Sequence, residues 1–199
     1  ENAQKYFAKY NKQKRTFEAL SELIQETADE IRYLESVSNS LDIALSEADL
    51  GQIKEELTAS GYVRRKFTKK KVKLTNKPMH YISSDGYDIY VGKNNIQNDE
   101  LTFSFANGGD WWFHAKGAPG SHVIVKTNGD ELPDRTFEEA GRLAAYYSKN
   151  RGSDKVEIDY IEKKHVKKPN GAKPGFVVYY TNYSLVIDSD ISNIKVVQD

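Results

Sequence analysis

Hydrophobic residues follow a heptad pattern through residues 3–41, at the start of the chain. With Ala3 at position a, the apolar residues at positions a and d are Ala3, Tyr6, Tyr10, Phe17, Leu20, Ile24, Ile31, Leu34 and Leu41. Such a repeat, without glycine or proline, is typical of a coiled-coil helix. One helix cannot bury its own seam, so we predict a coiled-coil partner helix from missing sequence or a second molecule. The alternative is an amphipathic helix that lies on a neighbouring domain.

A second, shorter helix is predicted after the polar segment SVSNS at residues 36–40, where we expect the first helix to end. Ser46 with Asp49 three residues later predicts a capping box, and Gly61 predicts the end of this helix. Residues 1–62 are therefore interpreted as a coiled-coil arm with a short helix, and residues 63–78 as a basic linker.

From Met79 the pattern changes to the alternation that is typical of strands. We predict strands at residues 79–84, 87–92, 111–115, 122–126, 156–162, 176–181 and 184–188, the first two joined by a turn at Asp85-Gly86. A helix is predicted from Thr136 to Asn150, and a short one after Asn94 or Asn95. The predicted fold class is α+β, a helical coiled-coil arm followed by a mixed, β-rich domain at residues 79–199.

The charges are unevenly distributed although the net charge is zero. Residues 1–62 carry −5, residues 63–79 carry +8, and residues 80–199 carry −3. No apolar run is long enough for a membrane span, so no membrane span is predicted. The chain has no cysteine, which excludes disulfides and thiolate metal sites and fits a cytoplasmic location. Because the helical pattern begins at the first residue, we expect the sequence to be part of a longer protein.

The segment DWWFHAKGAPGSHVIV, residues 110–125, has the residue types of an active or metal site. His114 and His122 could bind a metal, but no third ligand has a recognisable spacing. His114 could serve Ser121 as a base across the turn, but no nucleophile-elbow pattern is present. We therefore predict no enzyme activity, no cofactor and no metal. Of the two tryptophans, one is expected in the core and the other on a contact surface.

Two further segments suggest binding to an anion. Residues 92–99 hold several amide side chains, which are either helix caps and turn formers or a hydrogen-bonding platform for RNA. A lysine-rich loop follows the strand at residues 156–162. Its basic residues are Lys163, Lys164, His165, Lys167, Lys168 and Lys173. The basic linker and this loop are two runs of positive charge in a chain of zero net charge. Together they indicate an anion-binding surface.

Four segments carry a resemblance to the NFACT family of ribosome quality-control factors. VGKNNIQND and DWWFHAKGAPGSHVIV resemble the signature of its C-terminal NFACT-R domain, including an Asp-x-Trp-x-His strand and a Pro-Gly-Ser-His turn. VEIDYIEKKHVKKPNGAKPGFVVYYT is similar to the family's lysine-rich loop. ENAQKYFAKYNKQK resembles the returning helix of its coiled-coil middle domain. The resemblance covers nearly the whole chain and is closest to bacterial, Firmicute-type members.

The resemblance implies binding to the large ribosomal subunit and to tRNA on stalled complexes that hold peptidyl-tRNA, in support of untemplated alanine tailing. On this basis Trp112 is expected to be buried, beneath a polar RNA-binding surface. The expected RNA-binding residues are Lys93, Asn95, Asn98, His114, Lys116 and His122, together with Lys163, Lys164, Lys167, Lys168 and Lys173 of the loop. Relatives are also described as surface adhesins, so fibronectin is the alternative partner, reached by non-classical export to the cell surface.

Overall fold

The computed structural model describes residues 2–64 and 76–197. The basic linker predicted at residues 63–78 lies for the most part outside these described residues. The chain forms two compact units, Glu1–Glu35 and Ser36–Asp199. The predicted division at residues 62 and 79 therefore differs from the division into compact units, because the second unit already begins within the first helix.

Helix α1 spans Asn2–Ile43 and is continuous through residues 36–40. The predicted break at SVSNS is wrong. The polar side chains there are accommodated without leaving the helix, since the Ser40 hydroxyl donates to the Ser36 carbonyl at 3.0 Å and the Asn39 amide donates to the Tyr147 carbonyl at 3.3 Å. Val37, Asn39 and Ser40 are buried within the second unit. Tertiary contacts thus override the weak helix preference of serine and asparagine.

The heptad residues in the first unit remain exposed in the described chain. Phe17, Ile24 and Ile31 are 73%, 68% and 53% exposed. An apolar seam of this length is unusual on a monomer surface. The partner helix for this seam stays a prediction.

Helix α2, Glu47–Ala59, has both predicted ends. The Ser46 hydroxyl accepts from the Asp49 amide at 3.2 Å, and the Asp49 carboxylate accepts from the Ser46 amide at 2.9 Å, which confirms the capping box. Gly61 has a positive φ of 84°, and the Tyr62 amide donates back to the Leu57 carbonyl at 2.9 Å. This is the Schellman arrangement that a glycine after the last helical turn favours.

In the described part of the chain, seven strands form one antiparallel sheet. The strands are β1 Met79–Ile82, β2 Asp88–Val91, β3 Trp111–Ala115, β4 Val123–Val125, β5 Val156–Glu162, β6 Tyr183–Ile187 and β7 Lys195–Val196, in the spatial order β6-β5-β3-β4-β2-β1-β7. The predicted α+β class is confirmed, with a long N-terminal helix followed by a sheet domain. The helices of this domain are α3, Asn95–Glu100, which continues into a π-helical turn at Leu101–Phe105, and α4, Asp134–Tyr146.

One predicted strand is absent, and one strand was not predicted. Residues 176–181 form only an isolated bridge between Lys167 and Val178. Although their alternation resembles a strand, Val177 and Tyr179 are used to cover the sheet, where they pack on a second core cluster around Trp112. The two-residue strand β7 pairs with β1 at the sheet edge and is too short to give a periodic signal.

The two faces of the sheet are both covered. On one face, Phe113 and its neighbours pack against α4 through Ala140 and Leu143. On the other face, Trp112 and Ile124 pack against the π-helical turn and the segment after β5. The predicted burial of Trp112 is confirmed, since it is 0% exposed. Trp111 points to the opposite face and is only partly buried, as strand alternation requires.

Candidate nucleic-acid interface

The lysine-rich loop leaves the end of β5 through a short 3₁₀ turn at Lys163–His165. Lys164, Lys167 and Lys173 are exposed, and Lys163 and Lys168 are partly exposed. Lys164 forms an ion pair with Glu162. Because the Lys167 ammonium group has no hydrogen bond or ion pair within the described residues, it is the lysine most available to a phosphate.

Asp99 of α3 anchors this loop. Its carboxylate accepts from the Lys168 ammonium group at 3.0 and 2.8 Å and from the Gly175 amide at 3.1 Å. Lys168 also donates to the Lys173 carbonyl at 2.6 Å. The Asp99 carboxylate thus binds both ends of the loop segment 168–175. Lys168 is consequently part of the loop's internal support, with less charge to offer a ligand than its neighbours.

Gly175 is required where the loop passes α3. Its φ is +78°, and a Cβ atom at this position would lie 2.5 Å from the Asn95 side-chain oxygen. Only glycine accepts both the backbone conformation and this approach. Gly175 therefore allows the backbone of the loop to pass close to Asn95 of α3.

The loop also meets the end of α2. The Lys173 ammonium group donates to the Tyr62 hydroxyl at 3.3 Å and lies 5.5 Å from the centre of the Tyr62 ring. Val63 and Arg64, the first residues of the basic linker, follow Tyr62 directly. The beginning of one basic run is therefore adjacent to the end of the other.

A buried polar network joins α2 to the segment before α3. The Lys93 ammonium group lies 3.2 Å from the Asp49 carboxylate and donates to the Asn76 side chain at 3.1 Å. The Gln97 amide donates to the Gln52 side chain at 2.9 Å. Burial alone would raise the pKa of Asp49, but hydrogen bonds from Asn76, Ser46, the Leu45 amide and Lys93 lower it below the usual value. Asp49 is therefore an ionised, fully paired structural carboxylate.

Three residues predicted on an exposed RNA-binding surface are buried. Asn95, Asn98 and His122 are 3%, 3% and 2% exposed. The Asn95 amide donates to Glu56 at 2.9 Å and to Ser36 at 2.8 Å, both within the second unit. The prediction of a polar surface made by these residues is wrong, because their amide and ring groups are hydrogen-bonded inside the domain. Asn94 is the N-cap of α3, so the capping interpretation of residues 92–99 is confirmed.

Lys93 and Lys116 do not join the lysine loop either. The Lys93 side chain is 16% exposed and neutralises Asp49. Lys116 is exposed but pairs with Glu157, and this hydrogen bond raises the pKa of Lys116. Lys116 follows β3 and lies beside Glu157, six residues along β5 from the start of the loop at Lys163, which is about 20 Å away.

The two histidines are neutral at physiological pH. Burial lowers the pKa of His114 to about 4, and burial together with the nearby His114 lowers the pKa of His122 well below its usual value. The Nδ1 atom of His122 lies 2.8 Å from the Thr102 hydroxyl. Neither ring therefore offers a positive charge to phosphate. Within residues 2–64 and 76–197, no group of three or more possible ligands could hold a metal ion.

Sequence reasoning missed Asp99, Tyr62 and Gly175, which fix the position of the loop. The pairing of Asp99 with the distant lysine-rich loop is a tertiary feature that the sequence did not predict. The spacing of 69 residues between Asp99 and Lys168 gives no local signal. Gly175 lies at the end of the lysine-rich loop, and nothing in the sequence indicated its contact with Asn95.

An α+β domain that presents a supported, lysine-rich loop has the charge pattern expected of a nucleic-acid-binding domain. The chain belongs to the NFACT family. Residues 77–181 match the model described as the NFACT protein RNA binding domain, and residues 1–76 match the NFACT N-terminal and middle domains.

Named relatives agree with this assignment. The chain is 46% identical over 196 residues to the Rqc2 homolog RqcH of Streptococcus suis, covering 98% of this chain and 35% of that protein. It is 42% identical over 197 residues to the Rqc2 homolog RqcH of Bacillus subtilis, covering 98% of this chain and 34% of the relative. It is 37% identical over 81 residues, 40% of this chain and 7% of the relative, to the human ribosome quality control complex subunit NEMF. The chain thus spans about a third of the length of its bacterial relatives.

A solved structure has the same fold. The C-terminal part of the fibronectin/fibrinogen-binding protein from Streptococcus suis aligns with a TM-score of 0.88 and 45% identity, covering 98% of this chain and 78% of that one. In the described residues, no helix has the length and apolar character needed to cross a membrane.

Proposed function

We propose that this chain is the RNA-binding part of a ribosome quality-control factor, which contacts the large ribosomal subunit and tRNA on stalled complexes that hold peptidyl-tRNA. In this role it supports untemplated alanine tailing carried out with the rest of the protein. The observation that carries the proposal is the lysine loop held in place by Asp99. The family assignment and the names of the relatives support the ribosomal context.

The charge of the loop favours a phosphate ligand. Five lysines lie at residues 163–173, and among them Lys164 pairs with Glu162 and Lys168 pairs with Asp99. Lysine contacts to phosphate release counterions, so the logarithm of affinity falls with the logarithm of salt concentration. Each contact changes that slope by roughly 0.7 on single strands and about 0.9 on a B-form duplex.

The test replaces the charges that do not support the loop. In the purified chain, Lys163→Gln, Lys164→Gln and Lys167→Gln are combined, while Lys168 is retained because it bonds Asp99. Binding of tRNA and of large ribosomal subunits is measured across a salt series. If all three lysines contact phosphate, the slope falls by about 2 to 3.

A matched variant controls for net charge. Lys54→Gln, Lys155→Gln and Lys195→Gln remove the same charge from exposed positions outside the loop. This variant should keep most of the wild-type slope. An equal fall in both variants, or no fall in either, would place the RNA contacts elsewhere.

A second candidate function is binding to fibronectin. It is favoured by the description of the Streptococcus suis structure as a fibronectin/fibrinogen-binding protein. Capture of the purified, ribonuclease-treated chain on immobilised fibronectin tests it. Capture that is insensitive to the three loop substitutions would indicate an adhesive surface separate from the RNA surface, and absence of capture would remove this candidate.

We propose further that the chain binds without catalysing a reaction and without a metal. Ser121, the one nucleophile considered, is 2% exposed, and its backbone is tied to Tyr147. Metal analysis of the purified chain should find less than stoichiometric metal, and a chelator should leave the melting temperature unchanged. One equivalent of zinc per chain would contradict this proposal.

A further inference from the structure

An aromatic cluster lies at the end of the sheet where β3 begins. Trp111 packs edge-on against Phe137 of α4 at 4.9 Å between ring centres and lies 5.8 Å from Tyr160. Tyr160 stacks on Tyr183 of the edge strand β6 at 5.5 Å. Tyr183 is 60% exposed and Trp111 is partly exposed. Two of these rings therefore present surface to solvent.

An open groove of about 500 Å³ runs beside Trp111 and Phe137. Its other wall is the segment that connects β4 to α4, which places Asp130, Glu131 and Asp134 at the rim. None of these three carboxylates forms an ion pair with another described residue. No lysine or arginine from the described ranges lines the groove.

A second depression of about 450 Å³ continues on the other side of Trp111, where Tyr183 and Glu162 contribute to its lining. Glu162 lies directly opposite Trp111 across the β3–β5 pair. Its charge is balanced by the ion pair with Lys164. The unbalanced negative charge is thus concentrated at residues 130–134, next to the aromatic floor.

This arrangement selects a cationic occupant. Guanidinium and ammonium groups are attracted to the faces of tryptophan and tyrosine rings, and more strongly when carboxylates flank them. The same carboxylates repel a phosphate backbone, so the groove is unsuited to the ligand proposed for the lysine loop. The Trp111 and Tyr183 ring centres are 6.2 Å apart, which matches the spacing of side chains two residues apart on one side of an extended peptide.

We propose that this groove is a docking site for an arginine- or lysine-rich peptide segment of a partner protein, separate from the RNA-binding loop. The inference rests on charge complementarity and on the partly exposed rings, and it does not depend on the proposed function. The domain would then carry one surface that prefers cations, the groove, and one that prefers phosphate, the lysine loop. The two surfaces adjoin, since Glu162 lines the groove and the loop begins at the next residue.

The experiment uses the purified chain and a fluorescent peptide of alternating arginine and glycine. Fluorescence anisotropy measures binding to wild type, to Asp130→Asn with Glu131→Gln, and to Tyr183→Ser. The changed side chains are exposed, so the fold should be retained and is checked by the melting temperature. We expect the charge variant to weaken binding roughly tenfold and to reduce its salt dependence. Tyr183→Ser should weaken binding while leaving the salt dependence nearly unchanged.

Two controls keep the proposal falsifiable. Glu55→Gln with Asp154→Asn removes the same charge from exposed positions outside the groove and should bind the peptide within about twofold of wild type, because exposed charges act weakly at a distance in salt. A peptide of alternating glutamate and glycine should not bind. The proposal is overturned if the arginine peptide fails to bind wild type, or if both double variants weaken it equally. It is also overturned if Tyr183→Ser reduces binding of single-stranded RNA but not of the peptide, since the groove would then be a base-stacking surface.

Discussion

Replacing Asn98 with alanine should lower stability without removing an RNA contact. The Asn98 side-chain oxygen accepts from the His122 amide at 3.0 Å, and its amide group lies 3.5 Å from the Gly120 carbonyl. It also fills the space next to Gly92, where a Cβ atom would lie 2.2 Å from its oxygen. One side chain therefore joins α3 to β2 and to the turn before β4.

The cost can be estimated from these contacts. Loss of the side chain leaves the buried His122 amide without its acceptor, which costs about 1–3 kcal/mol. The space vacated by the amide group adds about 1 kcal/mol of lost packing. The free energy of unfolding should thus fall by about 2–4 kcal/mol, which corresponds to a fall in melting temperature of roughly 5–15 °C for a chain of this size.

Thermal and urea unfolding test this expectation, with Asn193→Ala as the control because Asn193 is an exposed asparagine. The control should change stability by less than about 0.5 kcal/mol. At a temperature where both variants are folded, Asn98→Ala should bind tRNA within about twofold of wild type. Unchanged stability combined with a large loss of tRNA affinity would refute the scaffold role and restore Asn98 to the RNA surface.

Three further predictions concern the histidines, the helix cap and the arm. Because the pKa of His114 is lowered from 6.5 to about 4, the unfolded chain binds a proton that the folded chain does not between these values. His114 should therefore contribute a loss of stability of roughly 3 kcal/mol as the pH drops from 6.5 to 4, and His122 should add to this loss, so His114→Gln should reduce but not remove the pH dependence of urea unfolding. Ser46→Ala removes the capping box and should cost about 1 kcal/mol in the same assay, with no change in the urea m-value. The exposed heptad seam should cause self-association in sedimentation equilibrium that Ile24→Lys abolishes, and a wild-type monomer at high concentration would contradict this.

The ends of α2 and most strands could be predicted because their signals are local. The Ser46 capping box and Gly61 depend on residues within one or two turns of each other. Strand β3 was predicted from alternation, and the different fates of Trp111 and Trp112 follow from that alternation alone. These elements need no knowledge of distant contacts.

The predicted break in α1 and the predicted strand at residues 176–181 failed for a common reason. Residues 36–40 are polar, but they stay helical because they bond to the sheet domain through Asn39. Residues 176–181 alternate, but they cover Trp112 and do not pair as a strand. In both segments the contacts that decide the structure come from residues far away in the sequence, so a local pattern could not reveal them.

At the candidate site, composition predicted a basic surface more reliably than it predicted which side chains would be exposed. A run of lysines without interspersed acids identifies a basic surface whatever its conformation, whereas amides serve equally well as RNA contacts and as internal supports. In the structure, Asn95 and Asn98 form hydrogen bonds inside the domain. The neighbouring Asp99 connects α3 to the loop through its ion pair with Lys168. If the lysines bind RNA as proposed, helix α3 acts on that binding only through their position. Substitutions in it should change affinity only as far as they release the loop, and loss of Asp99 should do so more than loss of Asn98.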